Sequence, residues 1–168
     1  MLGGDGLIGL ALGAALRAKG RTVTSLDLQS GVDLRKPFDI APFEKCDRVW
    51  FLAWDTGGAK YLEARNQQHE QYKNNCEISL RVFDALARTG KPFLFATSQL
   101  AGLPNAYGTT KLMAWHWTLN LGGKVAWDSC RDATIAYTVA RFNVPALRDF
   151  YFAKISRQKP KPDALANQ

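Results

Sequence analysis

The sequence predicts an α/β fold built on a doubly wound parallel sheet. Glycines crowd the first nine residues, and helical stretches alternate with apolar runs that lack polar alternation. Such runs indicate strands buried on both faces, which is typical of parallel sheets covered by helices. The 168 residues are enough for one domain with a proper core. We place that domain at residues 1–150 and a basic tail, expected to be disordered, at 151–168.

The first part of the chain predicts one helix and two strands. An apolar helical run extends from Leu7 to Lys19, and Gly20 is placed to end it. The run RTVTSLDL (21–28) is rich in β-formers, and GVDL (31–34) predicts a short third strand. A first strand should precede all of these. Only two residues stand in its place, so we expect it to be largely missing.

The middle of the chain alternates helices with buried strands. A short helix is expected over Phe38–Lys45 behind a proline, and the apolar run at 47–54 predicts a strand. A long helix follows over Leu62–Arg88, closed by a glycine and a proline, and 92–97 predicts the next strand. The last helix is expected over Tyr107–Leu121, closed by Gly122 and Gly123. This alternation makes the strands parallel.

Two stretches compete for the final strand. LGGKVAWD (121–128) and ATIAYTVARFNV (133–144) each carry part of the expected apolar pattern. Nothing in the pattern itself decides between them, so both remain candidates.

The composition excludes several classes of protein. No apolar run reaches the ~18 residues that span a bilayer, and no basic segment precedes the first apolar run as in a secretory signal. The three cysteines form no CxxC pair and the two histidines are isolated, so we expect no metal site and a reduced, cytoplasmic compartment. The net charge of +7 is concentrated toward the tail, which we interpret as a solvated end rather than a nucleic-acid-binding surface.

The glycine-rich start predicts a phosphate-binding turn. Gly3, Gly6 and Gly9 are spaced as GxxGxxG, which serves a tight turn, a close approach of backbone to pyrophosphate, and close packing of helix on strand. Leu7 and Ile8 begin the helix that follows, and its first N–H groups and positive dipole end would point at the phosphates. The turn therefore predicts a dinucleotide site.

Asp27 predicts which dinucleotide is bound. It ends the second predicted strand, where a carboxylate accepts hydrogen bonds from the adenosine ribose. A carboxylate at that position repels a 2′-phosphate, so the sequence favours NAD over NADP.

Tyr107 and Lys111 predict acid–base chemistry. They lie four residues apart in YGTTK, on one face of a helix. A neighbouring ammonium favours the phenolate form of a tyrosine, which can then exchange a proton with a substrate hydroxyl while hydride moves to or from nicotinamide. A hydroxyl from the end of the preceding strand would hold the substrate oxygen, and both Thr97 and Ser98 are placed for this.

The order of these motifs resembles the NAD-dependent epimerase/dehydratase family, the extended branch of the short-chain dehydrogenases/reductases. GGDGLIG is similar to its cofactor turn and VDLRKP to its third-strand pattern. CDRVWFLAW resembles its fourth strand, and NNCEISLRVFDAL its long helix. YGTTK matches its active-site helix. The resemblance implies a Rossmann-like fold, NAD as cofactor and a nucleotide sugar as substrate.

The resemblance also implies roles for single residues. Asp33 and Leu34 would meet the adenine, Leu52 and Ala53 would line the cofactor, and Asn75 would serve as a structural and proton-relay position. Catalysis would fall to Ser98, Tyr107 and Lys111. The loop length leaves the alignment of Thr97 and Ser98 ambiguous by one residue.

Two departures from the family pattern shape the functional prediction. The first strand is largely missing, and because family members are longer, we expect the C-terminal substrate lobe to be absent. We therefore predict an oxidoreductase-type domain of this group that is weakly stable and turns over little alone, with a homodimer as an open option. The alternative is a non-catalytic nucleotide-binding or interaction module with the same fold.

Overall fold

The structure is a computed structural model that describes residues 1–57, 65–98 and 100–125. The chain divides into two compact units, and the described residues all belong to the first, Met1–Cys130. The strand candidate at 133–144, the boundary at residue 150 and the tail at 151–168 lie outside the described residues.

Helices alternate with parallel strands, which confirms the predicted α/β class. The helices are α1 (Leu7–Ala18), α2 (Ala41–Lys45), α3 (Arg65–Thr89) and α4 (Ala106–Asn120). The strands are β1 (Val49–Phe51), β2 (Phe93–Phe95) and β3 (Lys124–Val125). The sheet has the order β1-β2-β3, with Val49 opposite Phe93 and Leu94 opposite Lys124.

Leu2 occupies the position of the shortened first strand. It forms parallel bridges to Leu26 on one side and to Phe51 on the other. Its N–H donates to the Trp50 carbonyl at 2.8 Å, and its own carbonyl accepts from the Leu52 N–H at 2.9 Å. The side chain is 1% exposed. Leu2 alone therefore pairs with the segments on both sides where the glycine turn begins. The sheet has no gap at this level, and the backbone groups of Leu2 are satisfied.

Two predicted strands are wrong. The run at 21–28 contributes only the isolated bridge of Leu26, and 31–34 forms turn and irregular backbone. A strand exists only against a neighbour that supplies ladder partners. The first strand offers one bridging residue, so 21–28 has no longer ladder to join. Among the described residues, 31–34 in turn has no strand beside it.

A glycine lies just beyond the end of three of the helices. Gly20, Gly90 and Gly122 all have positive φ, at +72°, +61° and +68°, just beyond α1, α3 and α4. The short helix differs from its prediction: it begins at Ala41 rather than Phe38, with Pro42 in its first turn. Proline is tolerated there because the first helical N–H groups have no intrahelical partner.

One of the two candidates for the final strand forms a strand in the described part of the chain. β3 comes from LGGKVAWD and pairs with β2 in parallel. Gly123 precedes it, and a Cβ there would overlap the Phe93 ring. The absence of a side chain at this position lets the chain enter the sheet edge across an aromatic residue.

The core beneath the site is aromatic. Phe51 and Phe95 on neighbouring strands lie 5.1 Å apart between ring centroids, and Phe83 of α3 meets Phe51 edge-on at 5.5 Å. Trp117 of α4 stacks on Phe83 at 4.9 Å. These contacts fix α3 and α4 on the sheet, and the two helices also pack on each other.

Candidate functional site

The three glycines of the turn occupy three different environments. Gly3 has φ +76°, and a Cβ on it would lie 2.6 Å from the Ala53 nitrogen. A Cβ on Gly9 would lie 2.6 Å from the Gly4 Cα. A Cβ on Gly6 would meet only the Gly3 carbonyl oxygen, at 3.5 Å. The turn thus packs tightly against backbone atoms at Gly3 and Gly9, whereas space remains beside Gly6.

The start of α1 is arranged to receive an anion. Gly6 is its N-cap and carries no capping side chain, and the first turn contains no acidic residue. Leu7 and Ile8 are 54% and 40% exposed, so this end of the helix faces open space. First-turn N–H groups without a capping side chain, at the positive end of the helix dipole, favour a phosphate group.

Asp27 lies beside this turn and is 9% exposed. Its carboxylate accepts the N–H of Asp5 at 3.1 Å and the N–H of Gln29 at 2.9 Å. An ionised carboxylate has about four acceptor positions, so two remain for ribose hydroxyls. Asp5 is a residue that the sequence analysis missed: it stands inside the turn and accepts the hydroxyl of Ser25 at 2.9 Å.

Asp33 and Leu34, the predicted adenine contacts, are placed differently from each other. Both oxygens of Asp33 bind the guanidinium of Arg35, at 2.8 and 3.0 Å. This hydrogen bonding holds the pKa of the Asp33 carboxyl below its usual range. Leu34 is 5% exposed and belongs to the hydrophobic core. Their contact with adenine stays a prediction.

The end of β1 meets the glycine turn. The N–H groups of Leu52 and Ala53 both donate to the Leu2 carbonyl, at 2.9 and 3.0 Å. This shared acceptor draws the two predicted cofactor-lining residues against Gly3. The structure therefore brings Gly3, Leu52 and Ala53 together at the carboxyl edge of the sheet, where ligands of open α/β sheets bind.

Asn75 clamps the loop that leaves this edge. It is fully buried on α3, and its Oδ1 accepts the Asp55 N–H at 2.9 Å while its Nδ2 donates to the Asp55 carbonyl at 3.1 Å. Asn74 donates to the Asp55 carboxylate at 2.9 Å, and Gln71 donates to the Asp55 carbonyl at 3.1 Å. Asp55 and Gln71 were not predicted from the sequence, although two amide residues one helical turn apart at 71 and 75 are a detectable signal.

Lys111 reaches from α4 to the end of β2. It is 4% exposed, and its Nζ donates to the Ala96 carbonyl at 2.6 Å. The same ammonium lies 4.3 Å from the centroid of the Trp54 ring, 4.6 Å from that of Phe95 and 5.9 Å from that of Tyr107. The predicted Tyr–Lys pair is therefore adjacent, and it lies at the strand end that precedes the two candidate hydroxyls.

The start of α4 is fixed by two hydrogen bonds and by a close approach of backbone at Gly108. The Asn105 side chain accepts the Gly108 N–H at 2.8 Å, and Gln68 of α3 accepts the Ala106 N–H at 2.6 Å. A Cβ on Gly108 would lie 2.6 Å from the backbone of Leu103. The glycine of YGTTK thus lets the loop after β2 cross the helix beside Tyr107, a requirement that the sequence analysis did not recognise.

Thr97 and Ser98 differ in accessibility. Thr97 is 8% exposed, and its hydroxyl has no hydrogen-bond partner in the described part of the chain. Ser98 is half-buried, and its Oγ accepts the Leu100 N–H at 3.1 Å. A hydroxyl that accepts one hydrogen bond can still donate its own proton, so Ser98 is oriented and able to donate.

Solved structures with the same fold come from enzymes of sugar-nucleotide chemistry. A dTDP-4-dehydrorhamnose reductase, the RfbD ortholog of Clostridium acetobutylicum, matches with a TM-score of 0.59 and 19% identity, over 74% of this chain and 50% of that one. TunA, an NAD-dependent NDP-hexosamine 5,6-dehydratase of tunicamycin biosynthesis, matches at 0.56 and 19%, over 71% and 48%. The ADP-L-glycero-D-manno-heptose-6-epimerase of Helicobacter pylori matches at 0.56 and 18%, over 71% and 49%.

These structures establish the fold, and the chain spans about half of their length. No curated protein sequence matches it at a significant level. Among the described residues, no helix is both long and apolar enough to cross a membrane.

The sequence model of the NAD dependent epimerase/dehydratase family matches residues 1–130. The match covers the glycine turn, the clamped loop and the Tyr–Lys helix. The resemblance stated from the motifs is confirmed, as is NAD as the cofactor of the family. The chain belongs to the NAD dependent epimerase/dehydratase family.

Proposed function

We propose that this chain binds NAD at the glycine turn and serves the redox chemistry of a nucleotide-sugar epimerase, dehydratase or reductase. The observation that carries the proposal is the turn, open at Gly6 and closed against backbone at Gly3 and Gly9. An open position at the N-terminus of a helix gives the pyrophosphate room to approach the backbone.

The residues present fit the cofactor. The open turn would receive the pyrophosphate, and the remaining acceptor positions of Asp27 would receive the adenosine ribose hydroxyls. Leu52 and Ala53 would line the cofactor where β1 ends. When bound, NAD supplies a hydride acceptor or donor.

The described side chains support proton transfer at the substrate. We assign the proton exchange with a substrate hydroxyl to the Tyr107 phenol, and we assign to Lys111 the charge that favours its phenolate form and a contact to the nicotinamide ribose. Ser98 would donate a hydrogen bond to the same substrate oxygen. The proposal rests on the adjacency of Lys111 and Tyr107 and on the direct bond from Lys111 to the strand end before Thr97.

A nucleotide sugar is the proposed substrate class. The three solved structures above come from enzymes that act on such compounds according to their names. Epimerisation, dehydration and reduction in this group share the exchange of a proton at a sugar oxygen and a hydride at its carbon, so one Tyr–Lys pair serves all three.

The proposal predicts a preference for NAD over NADP. Asp27→Asn keeps the size of the side chain and removes its charge, so we expect NAD affinity to fall about 10- to 100-fold, because hydrogen bonds to a charged group contribute about 1.5–3 kcal/mol each. The preference over NADP should narrow, because the repulsion of a 2′-phosphate is gone. Isothermal titration calorimetry with both cofactors measures both effects.

The matched control is Asp84→Asn, which removes one charge at an exposed ion pair with Arg88 on α3. It should leave both affinities unchanged. Equal or tighter binding of NADP by the unmodified chain would refute the role of Asp27.

A further inference from the structure

Trp54 lies at the centre of the site, and none of the roles above includes it. It follows β1 by three residues, and its ring meets Phe95 edge-on at 5.4 Å and Phe51 at 6.1 Å. The Lys111 ammonium lies over this ring, 4.3 Å from its centroid, closer than to either of the other two rings around it.

A buried ammonium needs compensation for the water that it loses. The Ala96 carbonyl accepts a hydrogen bond from Nζ at 2.6 Å. The face of an aromatic ring carries negative electrostatic potential, and among the aromatic side chains the indole binds cations best. Trp54 is therefore placed to stabilise the charge of Lys111 through the face of its ring.

The indole nitrogen of Trp54 also supports a role for the face of the ring. Trp54 Nε1 is buried and has no hydrogen-bond partner among the described residues. A buried donor without a partner is unfavourable, and a phenylalanine would avoid it. The advantage of tryptophan at this position is accordingly its larger face, which the ammonium contacts.

We propose that Trp54 is the positioning residue of Lys111: its ring holds the ammonium at the end of β2, beside Tyr107. The purpose of this placement rests on the proposed function, in which Lys111 serves Tyr107 and the cofactor. The contact itself is a property of the chain without cofactor and can be measured alone.

The test measures the rate of reductive methylation of the Lys111 amine in the protein without cofactor. Peptide mass spectrometry follows the reaction. Exposed Lys73 on α3 serves as the internal reference. Trp54→Leu should raise the rate of Lys111 relative to Lys73 by about 2- to 30-fold, the range given by typical cation–π strengths. Trp54→Phe keeps an aromatic face, so its rate should lie clearly closer to that of the unmodified chain.

Trp117→Leu is the matched control, because it removes the same ring from the same core without touching Lys111. It should leave the relative rate unchanged. An unchanged rate in Trp54→Leu, an equal rise in Trp117→Leu, or no rescue by Trp54→Phe would each overturn the proposal.

A parallel NAD titration separates this proposal from the proposed function. If Trp54→Leu exposes Lys111 and the unmodified chain fails to bind NAD, the positioning role stands and the proposed function fails. If NAD binds and Lys111 is equally protected in every variant, the positioning role fails alone.

Discussion

Gly9→Ala is expected to lower the free energy of unfolding by about 1–3 kcal/mol, the usual cost of forcing a methyl group into a filled space. The added Cβ would lie 2.6 Å from the Cα and carbonyl carbon of Gly4, which are backbone atoms and cannot rotate away. The turn would have to move off α1, so NAD binding should be lost as well. Urea denaturation and calorimetric NAD titration measure the two effects.

Gly13→Ala is the matched control, one turn further along α1. A Cβ there would meet only the end of the flexible Arg17 side chain, at 3.1 Å. Alanine favours a helix by up to about 1 kcal/mol over glycine, so this variant should be as stable as the unmodified chain or more so. If Gly9→Ala matched Gly13→Ala in stability, the packing of the turn on α1 described above would be incorrect.

Asn75→Leu is expected to lower the free energy of unfolding by about 2–4 kcal/mol. The substitution keeps the approximate volume and takes away the partner of the Asp55 N–H, which costs about 1–3 kcal/mol for a buried group. It also removes one of the two hydrogen bonds to the Asp55 carbonyl, worth about 0.5–1.5 kcal/mol, while Gln71 keeps the other. The loop carrying Trp54 and Asp55 should loosen, so hydrogen exchange of the Asp55 amide should accelerate together with the loss of stability.

Asn74→Leu provides the comparison for this clamp. Asn74 binds the Asp55 carboxylate instead of its backbone, so its loss leaves the backbone bonds of Asp55 intact. We expect a smaller destabilisation than for Asn75→Leu and little change at the Asp55 amide. Equal effects of the two variants would contradict the assignment of the clamp to Asn75.

The sequence predicted those parts of the fold whose determinants are local. Gly20, Gly90 and Gly122 marked helix ends because a positive φ suits glycine there. The strands at 21–28 and 31–34 were wrong because a strand depends on its neighbour. The strand that they would pair with contributes only the bridging residue Leu2. The β-propensity of a segment carries no information about the length of its neighbour.

The candidate site divides in the same way. The spacing of Gly3, Gly6 and Gly9 predicted their separate tasks, since each follows from the turn itself. Asp55 and Trp54 escaped notice because their roles come from contacts with α3 and α4, distant in sequence. The identity of those partners appears only once the helices are packed.

Gly6→Ala tests most directly the central claim that the glycine turn holds the pyrophosphate of NAD. Gly6 has φ −77°, which alanine adopts freely, and its added methyl would meet only the Gly3 carbonyl oxygen, at an ordinary van der Waals distance of 3.5 Å. The denaturation midpoint should therefore match that of the unmodified chain, while the methyl obstructs the phosphate and raises the Kd for NAD by about tenfold or more. Calorimetric titration of the unmodified chain, Gly6→Ala and Gly13→Ala decides the matter. We expect weakened NAD binding in Gly6→Ala alone; equal NAD affinity in all three proteins, or none in the unmodified chain, would contradict the pyrophosphate role of the turn.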